Sequence, residues 1–255
     1  MPSTDRRGAP GCWPGHDAWR VGPLDPADTT RLRDLASRAS SPDAADRRTR
    51  PTRRGLCEDR GMSTEGSLSG RGVREAAGEM TRTLGPHTDR DWARRAGDLE
   101  WSCWTTAAHV AHDLLGYATQ LTGRPDTRYL PLDLRVRDDA PPADVLTVVA
   151  ASAGLLAAAI DTAPADARAW HWGPCDPPGF AAMGIAETLL HTYDITRGLA
   201  VAWQPPAALS AVVLRRLFPD APAGDPPEVL LWMTGRTALG DRPRRTGWSW
   251  QAALR

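Results

Sequence analysis

Glu187, His191 and Asp194 are the only charged or imidazole side chains between Gly179 and Thr196, in the segment GFAAMGIAETLLHTYDITRGL. On an α-helix they project within about 60° of one another, as one stripe on an otherwise apolar surface. An acid and an imidazole one turn apart are costly to bury there unless they are paired or hold a metal. The spacing E-x-x-x-H is also how a helical bundle presents two ligands to one ion. Asp194, one turn beyond His191, is placed to orient an imidazole and is a candidate for the chemistry itself.

A second stripe runs through TTAAHVAHDLLGYATQL. His109, His112, Asp113, Gly116 and Gln120 share one side of that helix, and Val110, Leu114, Tyr117 and Leu121 the other. By itself such a stripe reads more readily as a solvated face than as a ligand set. Beside Glu187 and His191, however, His109 or His112 completes a two-histidine, one-carboxylate site with an open coordination position for water or a thiolate. His171 and Cys175, four apart in HWGPC, could form a small metal pair or line the entrance to the site. Cys103 reads as a small buried hydrophobe, because no base stands next to it in sequence. Arg236, in T-G-R, is either an anion-binding residue or an exposed arginine at a helix end.

Positioning those residues requires helices. A first helix is expected through VREAAGEMTRTL, broken at Gly85-Pro86 and continued over 89–99. A second follows Trp101, capped by Ser102 or Thr105, and stops at Gly123. RYLPLDLRV alternates like a short strand, but Pro131 confines it to an edge or an extended connection. A third helix, about 142–160, opens at Pro141-Pro142 and is almost wholly apolar, so burial on most of its faces is expected. After the loop DARAWHWGPCDPPG a fourth helix spans about 180–199. PPAALSAVVLRRLF and PPEVLLWMTGR then read as a fifth and a sixth, and TGWSW as a short strand.

Composition narrows the function. The chain has 255 residues with 31 basic and 31 acidic side chains and no net charge, so no overall field draws in nucleic acid or anionic lipid. Every basic residue is arginine, and lysine and asparagine are absent, a pattern of high-GC coding. Four widely spaced cysteines without a C-x-x-C pair fit neither a disulfide scaffold nor a zinc ribbon and point to a reducing cytoplasm. The apolar run from Val145 to Ile160, roughly 16 residues, is short for a membrane span. No phosphate-binding glycine motif occurs. Residues 1–61, rich in Arg, Pro and Gly, are expected to be a disordered extension, with Met62 a candidate translation start. A bundle over 62–203 and a helical extension over 204–255 complete the expected organisation.

W-S-x-x-x-x-x-x-H-V-A at 101–111 and M-G-x-x-E-x-L-x-H-T-x-D at 183–194 resemble the two helical motifs of the DinB-like superfamily. Their nearest likeness is to the metal-binding N-terminal domain of mycothiol-dependent maleylpyruvate isomerase. The resemblance covers roughly residues 70–200. It implies an all-α, DinB-like four-helix bundle, here with additional C-terminal helices and room for a short strand. It also implies a divalent metal, usually zinc, held by His109, Glu187 and His191. His112 is then a neighbour or substitute ligand and, with His171, a candidate pocket residue, while Arg236 and Asp194 are the catalytic candidates. The implied function is a metal-dependent transferase or isomerase that uses a low-molecular-weight thiol of the mycothiol type on an electrophilic substrate. The alternative is a metal-containing binding or stress-response protein without turnover. About 55 residues follow the bundle, fewer than the isomerase's separate C-terminal domain, which points away from maleylpyruvate as substrate. Neither nucleic acid nor membrane is an expected partner, and a homodimer is compatible with the sequence.

Overall fold

The computed structural model describes residues 67–254, within one unit spanning Thr64–Arg255. The expected disorder of residues 1–61 and the choice of Met62 as start lie outside the described residues. Helix α1, Gly70–Leu84, buries Val73, Ala76, Ala77, Met80 and Leu84, the three- and four-residue spacing of an apolar stripe. Its first N–H groups have no side-chain cap of their own. Gly70 N–H instead donates to Asp161 Oδ1 at 3.0 Å, across to another helix.

A 3₁₀ turn, Gly85–His87, follows, and the expected helical continuation over 89–99 does not form. That stretch folds into turns around the buried Trp92. Trp92 Nε1 donates to His87 O, Ala96 N–H to Trp101 O and Cys103 N–H to Arg94 O. Gly97 adopts φ +55. Its backbone groups thus pair across a hairpin-like loop and not along an axis.

Helix α2, Cys103–Gly123, starts where expected, with Ser102 Oγ accepting Thr105 N–H at 3.0 Å, and Arg124 closes it in the left-handed region at φ 49. Helix α3, Pro142–Thr162, opens on a proline whose missing N–H costs nothing at that position. Contrary to expectation it buries only one face, Val145, Leu146, Val149, Ser152, Ala153, Leu156, Ala157 and Ile160, and leaves Val148 and Leu155 exposed. Its alanine-rich outer face is apolar by composition, and composition alone cannot say which side a helix shows to its neighbours. By length and hydropathy it is the one described helix that could cross a membrane, yet it lies packed on α1 and α2.

Helix α4, Pro177–Gly198, begins three residues before its expected start because Asp176 caps it, accepting Gly179 N–H at 2.9 Å. Eighteen of its 22 residues are buried, so it is the central helix. Each of α1 and α2 packs against both α3 and α4, and the order around the bundle is α1–α3–α2–α4. Consecutive helices α1 and α2 therefore sit diagonally, which their 85–102 connection is long enough to permit. That order brings α2 directly against α4. Gly198 locks the contact at its lower end: a Cβ there would meet Arg95 O at 2.3 Å and Cys103 Sγ at 2.6 Å.

Beyond the bundle, α5, Ala207–Leu217, packs on α4, and α6, Pro226–Met233, packs on α5. Arg216 of α5 reaches the α4 cap, donating to Asp176 Oδ1 at 2.8 Å and to Ala252 O at 2.7 Å. TGWSW forms no strand, and Trp248 instead rests on Phe218. RYLPLDLRV is the extended connection and not a strand. The described sheet comes from the segment expected to be a loop: β1, Ala169–Trp170, pairs antiparallel with β2, Pro174–Cys175. Buried Gln120 secures it, donating through Nε2 to Trp170 O and Arg128 O while Oε1 accepts Leu130 N–H.

Candidate metal centre

The α2–α4 contact carries the polar cluster. The two helices pack against each other, with Val110 and Leu114 of α2 and Met183 and Leu190 of α4 among their buried apolar residues. His109, Glu187 and His191 each offer a ligand atom, and the three atoms lie within 4.8 Å of one another, the only such His/Cys/Asp/Glu group among the described residues. His191 Nε2 is 3.2 Å and His109 Nε2 3.9 Å from the same oxygen, Glu187 Oε2. That oxygen is buried and accepts no hydrogen bond. Its partner Oε1 faces the Tyr117 hydroxyl at 3.4 Å. A buried carboxylate oxygen without a donor, met by two imidazole nitrogens, fits a cation that replaces the missing hydrogen bonds.

The surroundings hold the imidazoles in place. His191 Nδ1 is 3.0 Å from Asp194 Oδ2, which leaves Nε2 turned toward Glu187, the arrangement by which a carboxylate fixes a ligand tautomer. Burial by itself pushes the His191 pKa down, but the hydrogen bond with Asp194 and the negative charges of Asp194 and Glu187 outweigh it and raise it to about 9. Burial likewise works against the Asp194 charge, and Arg236 and His191 overcome it, holding the carboxyl below its ordinary range. Trp101 shields the cluster, its ring 4.8 Å from the His109 ring and 6.4 Å from that of His191.

Arg236 does not stand at the surface. Nε and Nη2 donate to the two Asp194 oxygens at 3.0 and 2.6 Å, and Nη1 donates to Thr234 O. The turn that aims it needs Gly235, at φ +69, where a Cβ would also press on Arg245 O at 2.8 Å. Arg236 thus supports His191 through Asp194. Sequence reading identified both residues but not their pairing, because 42 positions separate them and no periodicity links α4 to the tail.

His112 is beside the cluster, not in it, with Nδ1 3.3 Å from Asp113 Oδ1. His171 is buried behind Tyr117, ring centroids 5.9 Å apart, and its Nδ1 is hydrogen-bonded to the Tyr129 hydroxyl. Burial lowers its pKa to about 4, partly opposed by Glu187. Cys175 Sγ donates to Asp176 O at 3.7 Å, and neither Cys175 nor His171 is part of the His109/Glu187/His191 group. Burial pushes the Cys175 thiol up to about 12 and the Cys103 thiol up to about 11, so neither is a thiolate near neutral pH. A separate cleft at the tail, lined by Phe218, Met233, Arg245 and Trp248, shares no residue with the cluster.

A His/Glu cluster between two adjacent helices of a four-helix bundle defines a DinB-like domain of metal-binding form. Residues 73–196, which run from the first turn of α1 into the last turn of α4, match the family model described as the mycothiol maleylpyruvate isomerase N-terminal domain. That is the family its two helical motifs resemble. No curated protein and no solved structure matches the chain.

Proposed function

We propose that this protein is a divalent-metal-dependent enzyme that uses a low-molecular-weight thiol, of the mycothiol type, in a transfer or isomerisation on an electrophilic substrate. The observation that carries the reading is the convergence of His109, Glu187 and His191 on one buried carboxylate oxygen that has no hydrogen-bond donor. Those three residues would hold the metal, and zinc suits the two-nitrogen, one-oxygen donor set. A divalent metal there would supply a Lewis acid able to lower the pKa of a thiol.

The chain's own residues prepare the site for that role. Tyr117 engages Glu187 Oε1 and leaves Oε2 for the metal. Asp194 holds His191 at Nδ1, and Arg236 holds Asp194 at both oxygens. His191 must release its Nε2 proton for that nitrogen to bind, and the neighbouring carboxylates that stabilise this proton also favour a cation in its place. Trp101 keeps water from one side of the cluster. Both described cysteines are buried, with their thiols pushed up to about 11 and 12, so neither is suited to be the reacting thiol, which in this reading comes on a small molecule.

The test is metal content by mass spectrometry on untagged protein, beside Glu187→Ala and His191→Ala. About one metal per chain, lost in both variants, is expected and leads directly to a screen of thiols with electrophiles. Retention of the metal in either variant removes the assignment. A metal that admits no exchangeable thiol or water ligand would instead identify a binding protein without turnover.

A further inference from the structure

We infer that Asp113 is a fourth protein ligand of the metal centre, an inference that rests on the metal-binding reading above. Asp113 lies one turn beyond His109 on α2, as His191 lies one turn beyond Glu187 on α4. Each of the two facing helices therefore offers one imidazole and one carboxylate at i, i+4 spacing. Asp113 Oδ2 stands 3.2 Å from His109 Nε2, the same nitrogen that is 3.9 Å from Glu187 Oε2. Oδ2 is thus nearer to that nitrogen than Glu187 Oε2 is, within reach of a cation that the nitrogen would hold.

Two further observations separate Asp113 from an ordinary buried acid. Its side chain is 1 % exposed, and Oδ2 makes no hydrogen bond; a buried carboxylate oxygen left so is strongly disfavoured unless a cation satisfies it. Oδ1, by contrast, is engaged by His112 Nδ1 at 3.3 Å. One oxygen anchored from outside and the other turned inward is the arrangement of a carboxylate that binds through a single atom. Glu187 shows the same division, with Oε1 against Tyr117 and Oε2 without a donor. The resulting two-histidine, two-carboxylate set cancels the charge of a divalent ion. An incoming thiol would have to add as a fifth ligand or displace Asp113, which makes Asp113 a determinant of access to the metal.

The experiment compares wild type, Asp113→Asn and Glu187→Ala by cobalt(II) titration, visible absorption and zinc competition, and adds a crystal structure of the zinc-loaded wild type. The expected Asp113→Asn protein binds cobalt and zinc at least about tenfold more weakly, and its cobalt absorption bands change in position and intensity. In the zinc-loaded crystal Asp113 Oδ2 lies at a bonding distance of about 2.0–2.2 Å. Unchanged cobalt bands in Asp113→Asn, even with weaker binding, would assign Asp113 an orienting role and overturn the inference. So would an Asp113 oxygen well outside bonding distance in the crystal, a result that stands even if the variant fails to fold. Full metal binding by Glu187→Ala would instead overturn the underlying metal reading.

Discussion

Arg236 and Asp194 form a two-point ion pair that ties the C-terminal tail to α4, and Asp194 Oδ2, at 2.6 Å from Arg236 Nη2, is also 3.0 Å from His191 Nδ1. Both side chains are buried, at 10 and 7 % exposure. Removing one partner of such a pair leaves a buried charge uncompensated. Arg236→Ala is expected to lower stability by about 3–5 kcal/mol and metal affinity by roughly tenfold or more. Lysine cannot reproduce the planar fork, so Arg236→Lys should restore little of either. Urea unfolding and zinc competition measure both quantities, and an Arg236→Ala protein as stable as wild type would show that the tail does not support the centre.

Metal should stabilise the fold, because the cluster joins α2 to α4 and the unfolded chain has no preformed site. At a free zinc concentration about a hundred times the dissociation constant, the gain is about 2.7 kcal/mol. Thermal unfolding with and without a chelator should therefore differ by several degrees in wild type. It should not differ in Glu187→Ala. Equal melting temperatures for wild type in the two conditions would contradict a site of this affinity.

The metal-free protein should be most stable near pH 6.5, as far as its two buried histidines decide it. His191 is raised to about 9 when folded, from about 6.5 unfolded. Its contribution is complete below 6.5 and is lost as pH rises toward 9. His171 has the opposite sign: lowered to about 4 by burial, it favours the folded state above 6.5, and that contribution disappears as pH falls toward 4. Asp194, held below its ordinary range, loses its share only in stronger acid. Denaturant unfolding at pH 4.5, 6.5 and 9 tests this, and stability that rises between 6.5 and 9 would refute the His191 part. Bound metal should flatten the alkaline limb, since Nε2 then carries no proton to lose.

Gly198→Ala is expected to loosen the α2–α4 contact. The new methyl would press on Arg95 O, a backbone atom with little freedom to move, and on Cys103 at the start of α2. Overpacking of this kind costs roughly 1–3 kcal/mol, or about 2–4 °C of melting temperature for each kcal/mol in a domain of this size. Calorimetry measures it, and a melting temperature equal to wild type would mean that the 94–97 turn shifts freely.

The helices of the bundle were legible in the sequence because their signals are local. Ser102 and Pro142 mark starts, and 3.6-residue periodicity marks the faces of α1, α2 and α4. Glu187 and His191 stood out for the same reason, as the charged stripe of an otherwise apolar helix. Periodicity did not reveal that 89–99 is a looped segment, since its backbone partners are Trp101, Cys103 and Trp104, nor that α3 leaves one apolar side in the open. Those depend on which neighbour arrives. The packing order α1–α3–α2–α4 decided that His109, and not His112, faces Glu187, and that Arg236 closes on Asp194 from 42 residues away. Residue types and spacing are properties of a single helix, whereas a ligand set is a property of two helices and a tail held at one distance.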